Sequence, residues 1–224
     1  MLGSKLLPLL GTVALAGCGG GSSSTPAASQ TGVASAAPAA AACPRVDTPA
    51  PKGVQHLHAP ALRLSPSHTY TATLETTCGT IRLALDARTA PKTTASFVYL
   101  ARRHFYDGLT FHRVVPGFVI QGGDPLGSGH GGPGYTVVER PPASTRYTQG
   151  VVAMAKTAVQ PAGASGSQFF IVVGASAALP PDYAVLGRVS GGADVVARIA
   201  AVPADPQSGV PANAVVIKRL TVSG

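Results

Sequence analysis

The chain has no tryptophan and few charged or aromatic residues. Of its 224 residues, 12% are charged and 5% are aromatic, and the formal net charge is +8. The basic residues are scattered and form no run of the kind found in nucleic-acid-binding arms, so we expect no nucleic-acid partner. A diffuse positive charge attracts anionic polymers or lipid headgroups loosely, and it does not define a function.

The N-terminal apolar stretch is too short to cross a membrane. It covers residues 6–16, about a dozen residues, whereas a spanning helix needs roughly 20. Lys5 precedes it and small residues follow, which is the order typical of export signals. We therefore predict a signal peptide over residues 1–17.

The end of this segment, Leu15-Ala16-Gly17-Cys18, resembles the lipobox of bacterial lipoproteins. In that class the cysteine becomes the lipid-modified first residue of the mature protein, and multiple acyl chains anchor a protein stably. The alternative is an ordinary secretory signal with an incidental cysteine. Because a Gly/Ser-rich stretch follows at once, we expect lipidation at Cys18 and a domain held on the extracytoplasmic side of a bacterial cell envelope.

Cysteine is scarce, with only Cys43 and Cys78 besides Cys18. In an oxidising compartment these two are candidates for a disulfide. Such a bond would contribute roughly 3–4 kcal/mol in the chain-entropy model. The alternative is two separate thiols.

The chain changes character near residue 67. Residues 18–66 are rich in Gly, Ser, Ala and Pro, and we predict a flexible tether and extension there. His56 and His58 lie in this part, but two imidazoles without a third ligand make a poor metal site, so no metal is expected. Residues 67–224 are predicted to form the folded domain.

Short alternating segments dominate the predicted domain. Two of them flank Cys78-Gly79 and predict a hairpin. Helical spacing after Pro91 predicts an amphipathic helix, and a second short helix is predicted over ADVVARIA. Further strands are predicted at LTFHRVV, FVIQGG, GVVAMA, SQFFIVVG, YAVLGRVS and AVVIKRLTV. Many short strands with two helices favour a closed antiparallel barrel capped by helices.

Three ordered blocks are similar to the cyclophilin family. FYDGLTFHRVVPGFVIQGGDP, residues 105–125, resembles its central signature. GVVAMAK with GSQFFIVV matches its next two strands, and LPPDYAVLGRV resembles the end of its active-site wall. The resemblance implies a mainly β, closed eight-stranded barrel capped by two helices. It also implies a monomeric peptidyl-prolyl cis-trans isomerase without cofactors, which would assist the folding of exported, proline-containing polypeptides.

The resemblance also implies site residues, position by position. Arg113 takes the place of the catalytic arginine, and Gln121 is expected to orient it by hydrogen bonding. Alternation requires Phe169 and Phe170 to face opposite sides of the sheet, and the resemblance assigns Phe169 to the core and Phe170 to the pocket. The predicted catalytic residues are Arg113, Gln121 and Phe118, and the predicted substrate-binding residues are Val119, Ala155, Lys156, Gln168, Phe170, Leu179 and Tyr183.

These residue types suit the rotation of an X-Pro bond. The barrier is about 18–20 kcal/mol because amide resonance is lost at the halfway point. The twisted prolyl nitrogen regains a localised lone pair, so a guanidinium such as that of Arg113 would bind the twisted form preferentially. Apolar side chains would clamp the pyrrolidine ring meanwhile.

Two points temper the resemblance. Ala178 lies where the family's tryptophan would align, which implies weak binding of the drug cyclosporin at most, and Tyr183 stands where many members have a histidine.

A non-catalytic module that binds proline peptides as a chaperone or scaffold is the main alternative function. A purely structural barrel is a third.

Overall fold

The computed structural model describes residues 42–224. The predicted signal peptide, the predicted lipidation at Cys18 and the predicted tether up to residue 41 lie outside this part. The elements, in chain order, are β1 (Tyr70–Thr76), β2 (Gly79–Leu85), α1 (Pro91–Arg102), β3 (Arg113–Val115), β4 (Val119–Gly122), β5 (Val137–Val138), β6 (Val151–Met154), β7 (Ala164–Ser165), β8 (Phe169–Val172), β9 (Val185–Gly191), α2 (Ala193–Ala200) and β10 (Ile217–Ser223).

The fold is mainly β, with a curled antiparallel sheet and two helices. The eight strands follow the order β10-β1-β2-β9-β6-β8-β4-β3. Strands β5 and β7 form a separate two-stranded pair that the sequence did not predict, because two residues give no measurable alternation. Neither of the helices within residues 42–224 is long and apolar enough to cross a membrane.

The sheet is a half-barrel, so the predicted closed barrel is wrong. Its edge strands β10 and β3 do not pair with each other. One isolated bridge joins Thr110 to Val216, and the Phe111 amide donates to the Val215 carbonyl at 2.9 Å. The Val114 amide of β3 donates instead to the Gly209 carbonyl at 2.7 Å. Because this amide of β3 bonds to a loop, it is not available to β10, and the two edge strands do not form a continuous ladder.

The core is held by a cluster of aromatic rings. Phe169 is fully buried and meets Phe97 and Phe111 edge-on, at centroid distances of 5.9 and 6.0 Å. Tyr106 also contacts Phe97, at 4.9 Å, and its hydroxyl donates to the Ser167 carbonyl. Edge-to-face pairs of this kind add to the free energy of burial. Since Phe169 is fixed inward, the next side chain on β8 must face the opposite side of the sheet.

A distant carboxylate caps the start of α1. Pro91 opens the helix, and its N-cap residue Ala90 has no side-chain acceptor. The Glu139 carboxylate accepts from the Lys92 amide at 3.2 Å and the Thr93 amide at 2.8 Å. It therefore supplies the acceptor that a Ser or Asp usually provides at this position, and its charge matches the positive end of the helix dipole.

Residues 42–66, called the extension below, contain no helix or strand but lie along the domain. Cys43 and Cys78 form a disulfide at the turn between β1 and β2. The Lys52 ammonium donates to the His104 and Phe105 carbonyls at 3.0 and 2.9 Å. Burial lowers the pKa of Lys52, an effect that the charge of Asp107 partly opposes.

We expect Glu139→Ala to lower the free energy of unfolding by about 1 kcal/mol, because two amides at the start of α1 lose their acceptor. Urea denaturation of the purified protein measures this. Glu75→Ala is the matched control, since Glu75 is exposed on β1 and its carboxylate makes no hydrogen bond or ion pair within residues 42–224. Equal losses in the two variants would contradict the capping role.

Candidate active site

One pocket brings together nine of the ten residues predicted for the site. Its volume is about 200 Å³. The tenth residue, Gln168, does not line it. The lining residues are Arg113, Phe118, Val119, Gln121, Ala155, Lys156, Phe170, Leu179 and Tyr183.

Strand register places the central residues in one row. Arg113 of β3 lies opposite Gln121 of β4, and Gln121 lies opposite Phe170 of β8. Directly opposed residues in an antiparallel pair point to the same face of the sheet. A charged group, an amide and an aromatic ring therefore stand side by side on the face opposite Phe169.

Aromatic rings form one wall of the pocket. Phe170 is 4% exposed, and the Tyr183 ring meets it edge-on at 5.6 Å. The Lys156 ammonium lies 5.5 Å from the centre of the Tyr183 ring, which favours a cation over its face. The pocket thus has one apolar, aromatic wall, with a cation at this rim.

The guanidinium of Arg113 is uncommitted within residues 42–224. It takes part in no hydrogen bond or ion pair there, and its Cζ lies 6.0 Å from the centre of the Phe118 ring. Gly209, with a φ of +76°, leaves room for the stem, since a Cβ at that position would lie 2.9 Å from Arg113 Cγ. Because the guanidinium has no partner in the described part of the chain, the donors of Arg113 are free for a ligand in the pocket.

The expected hydrogen bond between Gln121 and Arg113 is absent. Gln121 Nε2 donates instead to Gln168 Oε1 at 3.0 Å. Gln168 Nε2 donates in turn to the Gly129 and Gly131 carbonyls at 3.0 and 2.8 Å. The side-chain amide of Gln168 thus forms its hydrogen bonds within the protein and holds residues 127–134, called the glycine-rich loop. This geometry is that of a positioning residue rather than of a substrate ligand.

The predicted substrate edge at Ala155 and Lys156 is partly occupied. The Ala155 amide donates to the Gln168 carbonyl at 2.8 Å, because the pairing of β6 with β8 continues one residue past the strand. The Ala155 carbonyl accepts no hydrogen bond within residues 42–224. A substrate backbone could therefore use that carbonyl but not the amide.

Tyr147 supports the site and was missed by the sequence reasoning. Its hydroxyl donates to the Tyr183 carbonyl at 2.7 Å and accepts from the Tyr183 amide at 2.9 Å. Burial raises the pKa of Tyr147, so the hydroxyl keeps the proton that it donates. No local pattern signals this contact, since the two residues are 36 positions apart.

His112 adjoins Arg113 but is not suited to act as a base. It is 9% exposed, and neither ring nitrogen has a hydrogen-bond partner in the described part of the chain. Burial lowers the pKa of His112, Arg113 lowers it further, and Asp124 opposes them. The lower pKa makes the imidazole a weaker base. Across residues 42–224, no group of three or more His, Cys, Asp or Glu side chains could hold a metal.

Comparison with solved structures agrees with this architecture. The chain is similar to a cyclophilin-type peptidyl-prolyl cis-trans isomerase of Cryptosporidium parvum whose crystal structure was determined in the presence of the dipeptide Ala-Pro. The TM-score is 0.64 at 28% identity, covering 69% of this chain and 99% of that one.

Sequence comparison defines the family. Residues 71–222 match the family described as cyclophilin type peptidyl-prolyl cis-trans isomerase/CLD. Peptidyl-prolyl cis-trans isomerase B of Streptomyces anulatus is 41% identical over 169 residues, which is 67% of this chain and 95% of that protein. Peptidyl-prolyl cis-trans isomerase A of Mycobacterium tuberculosis is 39% identical over 177 residues, 71% of this chain and 95% of that protein. The chain belongs to the cyclophilin-type peptidyl-prolyl cis-trans isomerases, and its activity is the rotation of X-Pro peptide bonds.

We expect Gln168→Leu to lower the free energy of unfolding by about 1–3 kcal/mol, because the Gly129 and Gly131 carbonyls lose their donor. It should also lower kcat/KM for a proline peptide by about tenfold, since a displaced loop disturbs the pocket beside it. Urea denaturation and a protease-coupled isomerisation assay measure the two effects.

Gln149→Leu serves as the matched control for this prediction. Its exposed amide reaches only the Val173 carbonyl, at 3.4 Å. Unchanged stability and activity in Gln168→Leu would show that the network does not support the site.

Proposed function

We propose that Arg113 catalyses the rotation by binding the twisted X-Pro amide more tightly than either planar form. The observation that supports this most is an uncommitted guanidinium that lines the same pocket as an apolar wall. A planar amide nitrogen shares its lone pair with the carbonyl and accepts hydrogen bonds poorly. At the halfway point the lone pair is localised, so the attraction of Arg113 is greatest where the barrier of about 18–20 kcal/mol peaks.

The apolar wall supplies the second requirement, a firm hold on the proline ring. Phe118, Val119, Phe170 and Leu179 line the same pocket as Arg113. A ring held there leaves the preceding carbonyl free to turn, so the enzyme fixes one side of the bond while the other rotates. The C. parvum structure determined with Ala-Pro supports proline-containing peptides as substrates of this chain too.

The chemistry needs no proton transfer and no covalent intermediate. The reaction makes and breaks no bond, so catalysis depends on differential binding alone. Arg113 can also orient the carbonyl of the residue before proline, because a guanidinium carries several donors in one plane.

We expect Arg113→Ala to lower kcat/KM for a proline peptide at least about tenfold, because the donor to the twisted nitrogen is lost. The protease-coupled isomerisation assay measures this, and circular dichroism checks that the variant folds. Arg82→Ala is the control, since Arg82 is exposed on β2 and does not line the pocket. Full activity in Arg113→Ala would refute the mechanism.

A catalytically idle peptide-binding module is the alternative reading of the same pocket. Such a module would bind proline peptides but would not accelerate their isomerisation in a rate assay. The free guanidinium of Arg113 favours the enzyme, because a simple binding pocket for a neutral ring gains little from a cation. The replacement of tryptophan by Ala178 supports weak cyclosporin binding at most.

The enzyme is proposed to act on exported proteins while anchored to a membrane. The support is the order of Lys5, the apolar residues 6–16 and the LAGC tetrapeptide ending at Cys18. The disulfide between Cys43 and Cys78 fits an oxidising compartment, since such bonds are rare in the cytosol. A lipid on Cys18 would keep the domain on the extracytoplasmic side of a bacterial cell envelope, where unfolded chains emerge.

We expect Cys18→Ala to abolish both fatty-acid labelling and membrane association, because the cysteine carries the lipid. Metabolic labelling with an alkyne fatty acid and sedimentation of membranes from expressing bacteria measure these effects. Ser22→Ala is the control within the same segment and should behave as wild type. Persistent sedimentation or labelling of Cys18→Ala would contradict the anchor.

A further inference from the structure

A second, larger pocket adjoins the proposed proline pocket. Its volume is about 460 Å³, and it shares Gln121, Ala155 and Lys156 with the smaller one. The two therefore form one continuous surface across the end of β6. A peptide whose proline occupies the smaller pocket would pass over this shared rim, and one of its other side chains would reach the larger pocket.

The extension forms one wall of the larger pocket. Val54 and Gln55 line it, although they precede the first strand of the sheet by about 15 residues. Gln55 Nε2 donates back to the Lys52 and Gly53 carbonyls, both at 3.1 Å. Val54 is 69% exposed. It is therefore the apolar side chain that the extension offers to a ligand.

Hydrogen bonds hold this wall on both sides of Val54. The Lys52 amide donates to the Pro125 carbonyl and the Leu57 amide to the Pro133 carbonyl, both at 2.8 Å. Gly134, with a φ of +94°, lets the chains meet, because a Cβ there would lie 2.6 Å from the Gln55 carbonyl oxygen. The extension and the glycine-rich loop thus make one surface before any substrate arrives.

The charges around the larger pocket narrow the class of side chain that it would take. His130 and Lys156 line it, and no carboxylate of the described residues does. A basic side chain would find no carboxylate partner there and would meet the Lys156 ammonium. An apolar side chain would gain contact with Val54 and Leu126 at the cost of little desolvation.

We propose that the extension is part of the substrate-binding surface, with Val54 contacting an apolar side chain close to the proline. This specificity role rests on the proposed site at Arg113, since the proline must occupy the smaller pocket for the second side chain to reach Val54. The extension would then select among clients and would not contribute to the rotation itself.

Peptide panels with the full-length protein test this role. Leu, Gly or Lys is placed in turn at each of four positions, the two before proline and the two after it. The value of kcat/KM is then measured for each peptide by NMR exchange. We expect the wild type to prefer Leu over Gly and Lys at one position. Val54→Ser should reduce this preference about fivefold, because the apolar contact between Val54 and the Leu side chain of the peptide is lost. Val54→Leu should preserve or increase it.

Two controls separate this proposal from the proposed mechanism. Val46→Ser changes an exposed valine on the same extension that does not line the pocket, so it should leave the preference unchanged. Arg113→Ala should lower the rate for every peptide in the panel alike. A uniform effect of Val54→Ser over all peptides, or an equal effect of Val46→Ser, would overturn the specificity role and leave the mechanism at Arg113 intact.

Discussion

The register of β3, β4 and β8 is the constraint on which the site depends. It sets Arg113 opposite Gln121 and Gln121 opposite Phe170, so a cation and an apolar ring share one face. A slip of one residue would turn each of these side chains to the other face of the sheet. The aromatic contacts of Phe169 with the core make such a slip costly, because they bury that ring on the opposite side. Core packing and site geometry are thus two consequences of the same alternation.

Around this row, the site is supported by contacts between distant parts of the chain. Gln168 joins Gln121 to the glycine-rich loop, and Tyr147 holds the backbone of Tyr183 through both its donor and its acceptor. Gly209 gives the Arg113 stem its space. These groups form their hydrogen bonds within the protein, whereas the Arg113 guanidinium and the Ala155 carbonyl have no partner among the described residues and are free for a ligand. Such preorganisation suits a reaction in which the enzyme gains only from preferring one geometry of the substrate.

The half-barrel and the extension give the molecule two neighbouring surfaces with different tasks. The pocket at Arg113 suits the one feature that all substrates share, the proline ring. The larger pocket beside it is walled partly by residues 54 and 55, which belong to a segment outside the sheet. A segment without strands can change in sequence at little cost to the core, since it contributes few core side chains. Reaction and selection can thus be altered independently in this fold.

The sequence by itself predicted most of the local elements and nine residues that line one pocket. Helices α1 and α2 begin near Pro91 and at Ala193 as predicted. Alternation puts Phe169 and Phe170 on opposite faces, and the family resemblance assigned the first to the core and the second to the pocket. Only the tertiary structure decided that the sheet stays open, that Gln121 bonds to Gln168, that Glu139 caps α1 and that the extension reaches the pocket. The reason is physical. Periodicity and turn residues report forces between near neighbours, whereas these contacts join residues tens of positions apart, whose meeting depends on how the whole sheet curls.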